Sequence, residues 1–176
     1  MLPPFPPPRA LPDMVGLRRA GLSLRAAGDG DLPFLVALYA STRADERLMV
    51  DWPDDAWARF VDTQFAAQHR DFTTRYAADF LVIQDRGRPI GRLYLDRSGP
   101  VWRIVDIALL PEGQRKGRGT AVIRWVQRAA RRANADTVEL HVLHANPGAA
   151  RLYARLGFVD AFTTAPTHRR MTWPVS

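Results

Sequence analysis

Residues Pro111 to Ala121 read PEGQRKGRGTA and bring three glycines and three cations together. They stand between the apolar run IVDIALL, a strand pattern, and AVIRWVQRAA, a helix pattern. A turn of this kind gathers free backbone N–H groups and the positive end of a helix dipole at one spot. Glycine lets that backbone approach a phosphate with no Cβ in the way, and Arg115, Lys116 and Arg118 add charge around it. The chemistry is that of a phosphate cradle. A P-loop would need G-x-x-x-x-G-K-[ST], which Gly113 to Arg118 does not supply, and a dinucleotide fingerprint would need a third glycine where Val122 stands.

Other ionisable groups fall at positions that matter. In TVELHVL, Val138, Leu140 and Val142 share one strand face, and Glu139 and His141 share the other. His144 lies three residues from His141 and so points to the opposite face, which makes the pair an unnatural metal site; no metal is expected. Asp106 is placed on the strand face of Ile104 and Ala108. An unpaired carboxylate there would be costly, so the simpler expectation is an arginine partner and the sharper one a proton acceptor. From Arg43 to Asp55 five acids (Asp45, Glu46, Asp51, Asp54, Asp55) face two arginines, a segment that is either a solvated loop or a lure for a cationic ligand.

The elements that must hold these residues follow from periodicity and punctuation. LSLRAA reads as a first strand, and Gly28–Asp31 with Pro33 as a turn into a helix. DDAWARFVDTQFAAQHRDF is a second helical pattern carried by Trp57, Phe60, Val61, Gln64 and Phe65. DFLVIQ, RPIGRLYLD and VWRIVDIALL are three strands separated by turn signals. After the glycine turn, Val122, Trp125, Val126, Ala129, Ala130 and Ala133 form an apolar helix stripe opposite Arg124, Arg128 and Arg131, with Asn134 as the stop. TVELHVL is a strand. Asn146 caps the next helix, Pro147 opens it and Gly157 ends it. FVDAFTTA and HRRMTWPV close as a hairpin. The order β-α-α-β-β-β-α-β-α-β-β implies an α/β or α+β arrangement, a mixed sheet with helices on both faces.

Within the turn, Gln114, Gly117 and Gly119 fit Q-x-x-G-x-G followed by the small residues Thr120 and Ala121. Downstream, HVLHANPGAARLYARLGF contains an asparagine, a tyrosine seven residues later, and an L-G-F turn. Together these resemble the two signatures of the GNAT superfamily, the Gcn5-related N-acetyltransferases, over about half the chain, roughly Asp79 to Phe162. The resemblance implies a mostly antiparallel central sheet splayed at a bulge in its fourth strand, here IALLPE. It implies acetyl-CoA as cosubstrate, with the pyrophosphate held by Gln114, Arg115, Lys116, Gly117, Arg118, Gly119 and Thr120. Backbone groups of Ala108, Leu109 and Leu110 would take the pantetheine and orient the acetyl carbonyl, Asn146 would bond the pantetheine arm, and Tyr153 would protonate the leaving thiolate. His141 stands where some members carry a glutamate proposed as base; Asp106 is the second candidate, and many members use only an ordered water chain. Tyr153 could equally pack its ring on Ala149, Ala150 and Leu156, and Asn146 could be a plain cap.

The totals bound the rest. A chain of 176 residues, 47% apolar, suffices for one core, expected over residues 21–176 after a proline-rich, mobile leader at 1–20. No apolar run approaches the roughly 20 residues of a membrane span, and no membrane partner is expected. The absence of cysteine excludes disulfides, thiolate metal sites and a cysteine nucleophile, and fits a cytoplasmic protein. The net charge is +7, with seven cations and no acid between Arg115 and Arg132, so one face should attract anions. A nucleic-acid binder would need motifs or interleaved aromatics that the basic cluster lacks. A non-catalytic acyl-CoA-binding module is the other alternative to a transferase acting on a small-molecule or peptide amine. Dimerisation is common among such folds, and nothing in the sequence fixes it.

Overall fold

The computed structural model describes residues 2–176. A short helix α1 (Val15–Arg19) precedes β1 (Leu22–Ala26). Helices α2 (Leu32–Ser41), α3 (Ala44–Leu48) and α4 (Asp54–Arg75) follow. Strands β2 (Ala78–Asp85), β3 (Arg88–Asp96) and β4 (Val101–Leu109) lead through the glycine turn into α5 (Arg118–Arg132). Then come β5 (Thr137–Leu143), α6 (Pro147–Arg155), β6 (Val159–Ala161) and β7 (His168–Pro174). The strands form one sheet in the order β1-β2-β3-β4-β5-β7-β6, antiparallel at every junction except the parallel β4–β5 pair. Helices α1 and α3 were not foreseen from sequence; both are only five residues long, too short for a periodic signal.

Two apolar cores sandwich the sheet. On one face α5 and α6 cover Leu93, Leu95, Trp102, Ile104, Val138 and Leu140 with Val122, Trp125, Val126 and Tyr153. The predicted α5 stripe is buried as far as Ala130, but Ala133 is the exposed C-cap, and Ile123 and Gln127 take buried places instead. Asn134, at φ +53°, ends the helix as its left-handed tendency dictates. On the other face α2 and α4 cover Phe80, Val82 and Tyr94 with Leu35, Leu38, Val61 and Phe65.

Strand β4 carries the feature that shapes the site. Tyr94 of β3 pairs with Asp106, but its neighbour Leu95 pairs with Ile104, so Val105 is an extra residue, a β-bulge. The bulge resets the side-chain alternation. Trp102 and Ile104 before it, and Ile107 and Leu109 after it, face the α5 core, while Val105, Ala108 and Leu110 face the α4 core. Asp106, expected on the face of Ile104, therefore turns to the opposite one. Past the bulge β4 hugs β3: a Cβ on Gly91 would lie 2.3 Å from Ala108 O, so only glycine fits that position. β4 and β5 pair only over Val101–Ile104 and Thr137–Leu140, and beyond those residues they part.

The leader is docked rather than free. His69 Nε2 bonds Pro3 O at 2.8 Å, and Phe5 packs edge-on against His69 and Phe80. Arg9 Nε donates to Asp79 Oδ1 (2.8 Å), Arg97 Nε to Asp79 Oδ2 (2.5 Å), and Arg97 Nη2 to Ala10 O (2.6 Å). Proline fixes much of this segment's backbone before folding, which lowers the entropy cost of laying it down. Asp79 is 6% exposed and ties leader to sheet through both oxygens. Asp79→Asn should cost about 2 kcal/mol, below the usual cost of breaking a buried pair because the stranded Arg9 can turn to water. Denaturant unfolding of the variant beside the wild type measures it.

Candidate active site

The turn after β4 is built to leave donors free. Leu110 N–H donates to Ile90 O at 2.8 Å, and a 3₁₀ turn follows at Pro111–Gly113. Gln114 Nε2 donates to Leu109 O at 2.9 Å, so this side chain staples the loop to the end of β4 instead of reaching outward. Arg115 and Gly117 both take left-handed φ, +58° and +73°. Gly117 then caps α5 with no side-chain bond, and the first helical bond is Ala121 N–H to Gly117 O. The N–H groups of Arg118, Gly119 and Thr120 are therefore left without helical partners. The alternative reason for glycine, close packing, does not hold here. A Cβ on Gly117 would meet nothing within 4 Å, and one on Gly119 would make only ordinary contacts with Leu152 and Leu109 (3.7 and 3.8 Å).

Charge converges on the same turn. Arg118 pairs with Asp85 through one amino group, while its buried Nη1 has no partner. Arg115 and Lys116 are exposed and enter no ion pair among the described residues. Beside them opens a cleft of about 760 Å³ whose cations are Arg18, Arg19, Arg86, Arg88, Lys116 and Arg118, against Asp85. The first four come from α1, the β2–β3 turn and the start of β3 and were not singled out from sequence. Only the doublet Arg18–Arg19 and the R-G-R turn hinted at them, since their convergence depends on the fold. Free amides, an orphaned guanidinium nitrogen and a cationic cleft fit the polyphosphate end of coenzyme A.

The gap between β4 and β5 fits the rest of such a molecule. Because Leu110 N–H bonds Ile90 O, antiparallel alternation sends the backbone groups of Ala108 and Leu110 toward β3. The amides that face the gap are those of Ile107 and Leu109. Of the three backbone positions proposed from sequence, Leu109 turns its amide to the gap, while Ala108 and Leu110 spend theirs on β3. The bulge that the family resemblance implied for this strand falls at Val105, ahead of IALLPE, and that position sets this parity.

On the far side of the gap, Asn146 Oδ1 accepts from Ala149 N–H at 3.0 Å and caps α6, which leaves its side-chain NH₂ free. Tyr153 projects from α6, its ring 5.9 Å from Phe158. Burial first, then the charge of Asp106, push its hydroxyl up to about 12, so it stays protonated at neutral pH. Asp106 itself accepts from Arg92 Nε at 2.7 Å; Arg92, 2% exposed, also donates to Gln68 of α4. The arginine-partner expectation for Asp106 therefore describes its contacts.

His141 lies just past the last β4–β5 pair, directly opposite Arg170 on β7. Partial burial lowers its pKa below the ordinary value; Glu139 opposes the shift, and Arg103, Arg170 and His168 reinforce it. Glu139, the neighbour on its face, is 2% exposed and held by Arg103 from β4 and Arg170 from β7. The sequence placed Glu139 on that face but gave no sign of its partners, which come from two other strands.

The acid-rich segment is largely neutralised. Arg43 pairs with Glu46, Arg47 with Asp54, and Arg59 with Asp55, while Trp52, Trp57 and Phe60 cluster with ring centroids 5.4–6.4 Å apart.

The model of the acetyltransferase (GNAT) family matches residues 44–158. The chain belongs to this family. Solved GNAT structures share the fold. The PaiA N-acetyltransferase of Thermoplasma acidophilum, in complex with coenzyme A, superposes with a TM-score of 0.66 at 14% identity, covering 87% of this chain and 98% of that one. The ribosomal-protein-S18-alanine N-acetyltransferase of Escherichia coli gives 0.62 at 21% identity, over 88% and 94%. The spermidine N-acetyltransferase of Vibrio cholerae, in complex with coenzyme A and spermine, gives 0.60 at 23% identity, over 89% and 96%. No curated protein matches the sequence. The GNAT fold is one that binds coenzyme A, and the free amides and cations of Arg115–Thr120 have the chemistry that its phosphates call for.

Gly119→Ala separates the phosphate role from packing. Alanine suits a helix first turn better than glycine, and its Cβ has room, so melting should be unchanged or slightly raised. Coenzyme A affinity should nevertheless fall about tenfold or more, roughly 1.4 kcal/mol. Calorimetric titration with coenzyme A reads it.

Proposed function

We propose that this GNAT enzyme transfers the acetyl group of acetyl-CoA to a primary amine by direct attack within a ternary complex. The observation that carries the reading is the β4–β5 gap. Two unpartnered amides, Ile107 and Leu109, line one lip, and a protonated tyrosine and a pKa-lowered histidine belong to the other.

Acetyl-CoA supplies an activated thioester carbonyl and a thiolate leaving group. The Ile107 and Leu109 N–H groups donate to the carbonyl oxygen as it gains negative charge, a contribution that grows toward the transition state. His141, neutral at pH 7, accepts the proton that the amine sheds as its nitrogen bonds the acyl carbon. Tyr153, protonated at neutral pH because burial first and the Asp106 charge second raise its hydroxyl, gives its proton to the departing sulfur. His141 gains one proton and Tyr153 loses one, and exchange with solvent restores both; because the nitrogen bonds the acyl carbon directly as the carbon–sulfur bond breaks, no covalent enzyme intermediate is required. The acceptor is a small-molecule or peptide amine, and the cytoplasm is the compartment proposed for the reaction.

Tyr153→Phe keeps the buried ring and removes only the acid. Amine-dependent thiol release should fall about 100-fold or more in kcat, while coenzyme A affinity changes little. The chain contributes no thiol background, since it has no cysteine. An unchanged kcat would remove Tyr153 from the mechanism.

The pH profile tests the base. Because His141 is shifted downward, kcat/KM should be lost only as pH falls below the ordinary histidine value of about 6.5. Tyr153, near 12, should impose no alkaline loss across the working range. His141→Gln should abolish the acid limb. A limb that instead follows the acceptor's own ammonium pKa would show that water, not His141, takes the proton.

A further inference from the structure

The sheet face beside His141 carries more positive charge than its fold requires. Glu139 is a single buried carboxylate, its side chain 3% exposed, yet two guanidiniums hold it. Arg103 Nε donates to Oε1 at 2.7 Å, with Nη2 on the same oxygen; Arg170 Nε and Nη2 donate to Oε2 at 3.0 and 2.8 Å. One cation would neutralise it. The second leaves a surplus charge, and both guanidiniums remain substantially open, their side chains 40% and 37% exposed. Each uses Nε and Nη2 on Glu139, which leaves its Nη1 outside that pairing. Arg103 is further braced over the Tyr76 ring, 5.7 Å away. The arrangement is a pair of cations held side by side by a carboxylate beneath them.

Its position relates it to the reaction. Arg170 is the direct cross-strand partner of His141, and such partners have Cβ atoms only about 5 Å apart. Arg103 pairs in register with Glu139, at the closed end of the gap. The groups facing His141 from the strands around it are thus Glu139, Arg103, Arg170 and His168, and the one acid among them is consumed. Meanwhile three of the five acids in the Arg43–Asp55 segment are paired, two within the segment and Asp55 with Arg59. The sheet surface beside His141 therefore carries a local positive surplus.

We propose that Arg103 and Arg170 bind a carboxylate of the acceptor, and that the acceptor is a free amino acid rather than a polyamine. The proposal rests on the transferase reading and names its substrate class. An amino acid carries its amine and carboxylate two bonds apart about one carbon, which matches an amine at His141 and a carboxylate at the adjoining guanidinium edges. Two such edges also suit bidentate recognition. A polyamine would meet repulsion at the same place.

The test uses the full chain with acetyl-CoA and three pools: the common free amino acids, the same amino acids as carboxamides, and spermidine with spermine. Thiol release is measured for wild type, Arg103→Gln and Arg170→Gln. Either single change leaves one guanidinium on Glu139, so the carboxylate stays paired and the fold persists; melting curves check this. Wild type should favour the acid pool over the amide pool at least 100-fold in kcat/KM, and each variant should shrink that ratio to less than 10-fold, chiefly through KM. Turnover of amides or polyamines as good as that of the acids would overturn the proposal while sustaining the transferase. If no pool turns over, binding of the amino-acid pool in the presence of coenzyme A decides. Stabilisation of wild type that both variants lose would uphold the carboxylate site and count against the transfer reaction; no stabilisation by any pool would overturn the carboxylate site as well.

Discussion

The parting of β4 from β5 is the constraint on which the site depends. Four residues of each strand pair in parallel, and then Val105 enters as an extra residue. A bulge bends its strand and increases local twist, and here the bend carries β4 toward β3, where Gly91 alone permits the approach. Strand β5 meanwhile stays with β7 through Leu143. Backbone groups that a continuous sheet would have satisfied are left facing a gap, and unmade hydrogen bonds in a sheet interior are costly unless something occupies them. The ligand slot is a defect in the ladder, sustained by good pairing on either side.

Two arginine–carboxylate arrangements flank this gap with opposite consequences. Arg92 and Asp106 are matched one to one on the α4 side, and the carboxylate adds through space to the burial that raises the Tyr153 hydroxyl. Arg103, Glu139 and Arg170 are mismatched two to one on the β5–β7 side, which leaves positive charge beside His141. The third concentration of charge, around the start of α5, has Asp85 as the acid in a cleft lined by six cations. Part of the chain's surplus of +7 lies at these two places, where anionic groups are expected.

What the sequence made legible was local. Gly117, Asn134 and Asn146 serve the turn and caps that their types imply, because a left-handed φ or a capping bond depends on a few neighbouring residues. The spacing from Asn146 to Tyr153 placed both on one helix that a single chain segment defines. A bulge in this strand was expected from the family resemblance, but its position was not legible, since Val105 looks like any strand valine, and with the position went the parity that points the amides of Ile107 and Leu109, not Ala108 and Leu110, into the gap. The converging arginines and the clamp on Glu139 also depend on which strands become neighbours. The leader misled for a different reason: its prolines suggested a free segment, but Phe5 and Arg9 anchor it.

The most direct measurement is backbone hydrogen exchange at four consecutive amides, Ile107 to Leu110, with and without coenzyme A. Ala108 and Leu110, bonded to β3, should be protected in both states. Ile107 and Leu109 should exchange rapidly in the free protein and become protected when coenzyme A binds. Protection of Ile107 and Leu109 in the free protein, or no change at either on binding, would contradict the account, because the gap would then be closed or would not be where the cofactor lies.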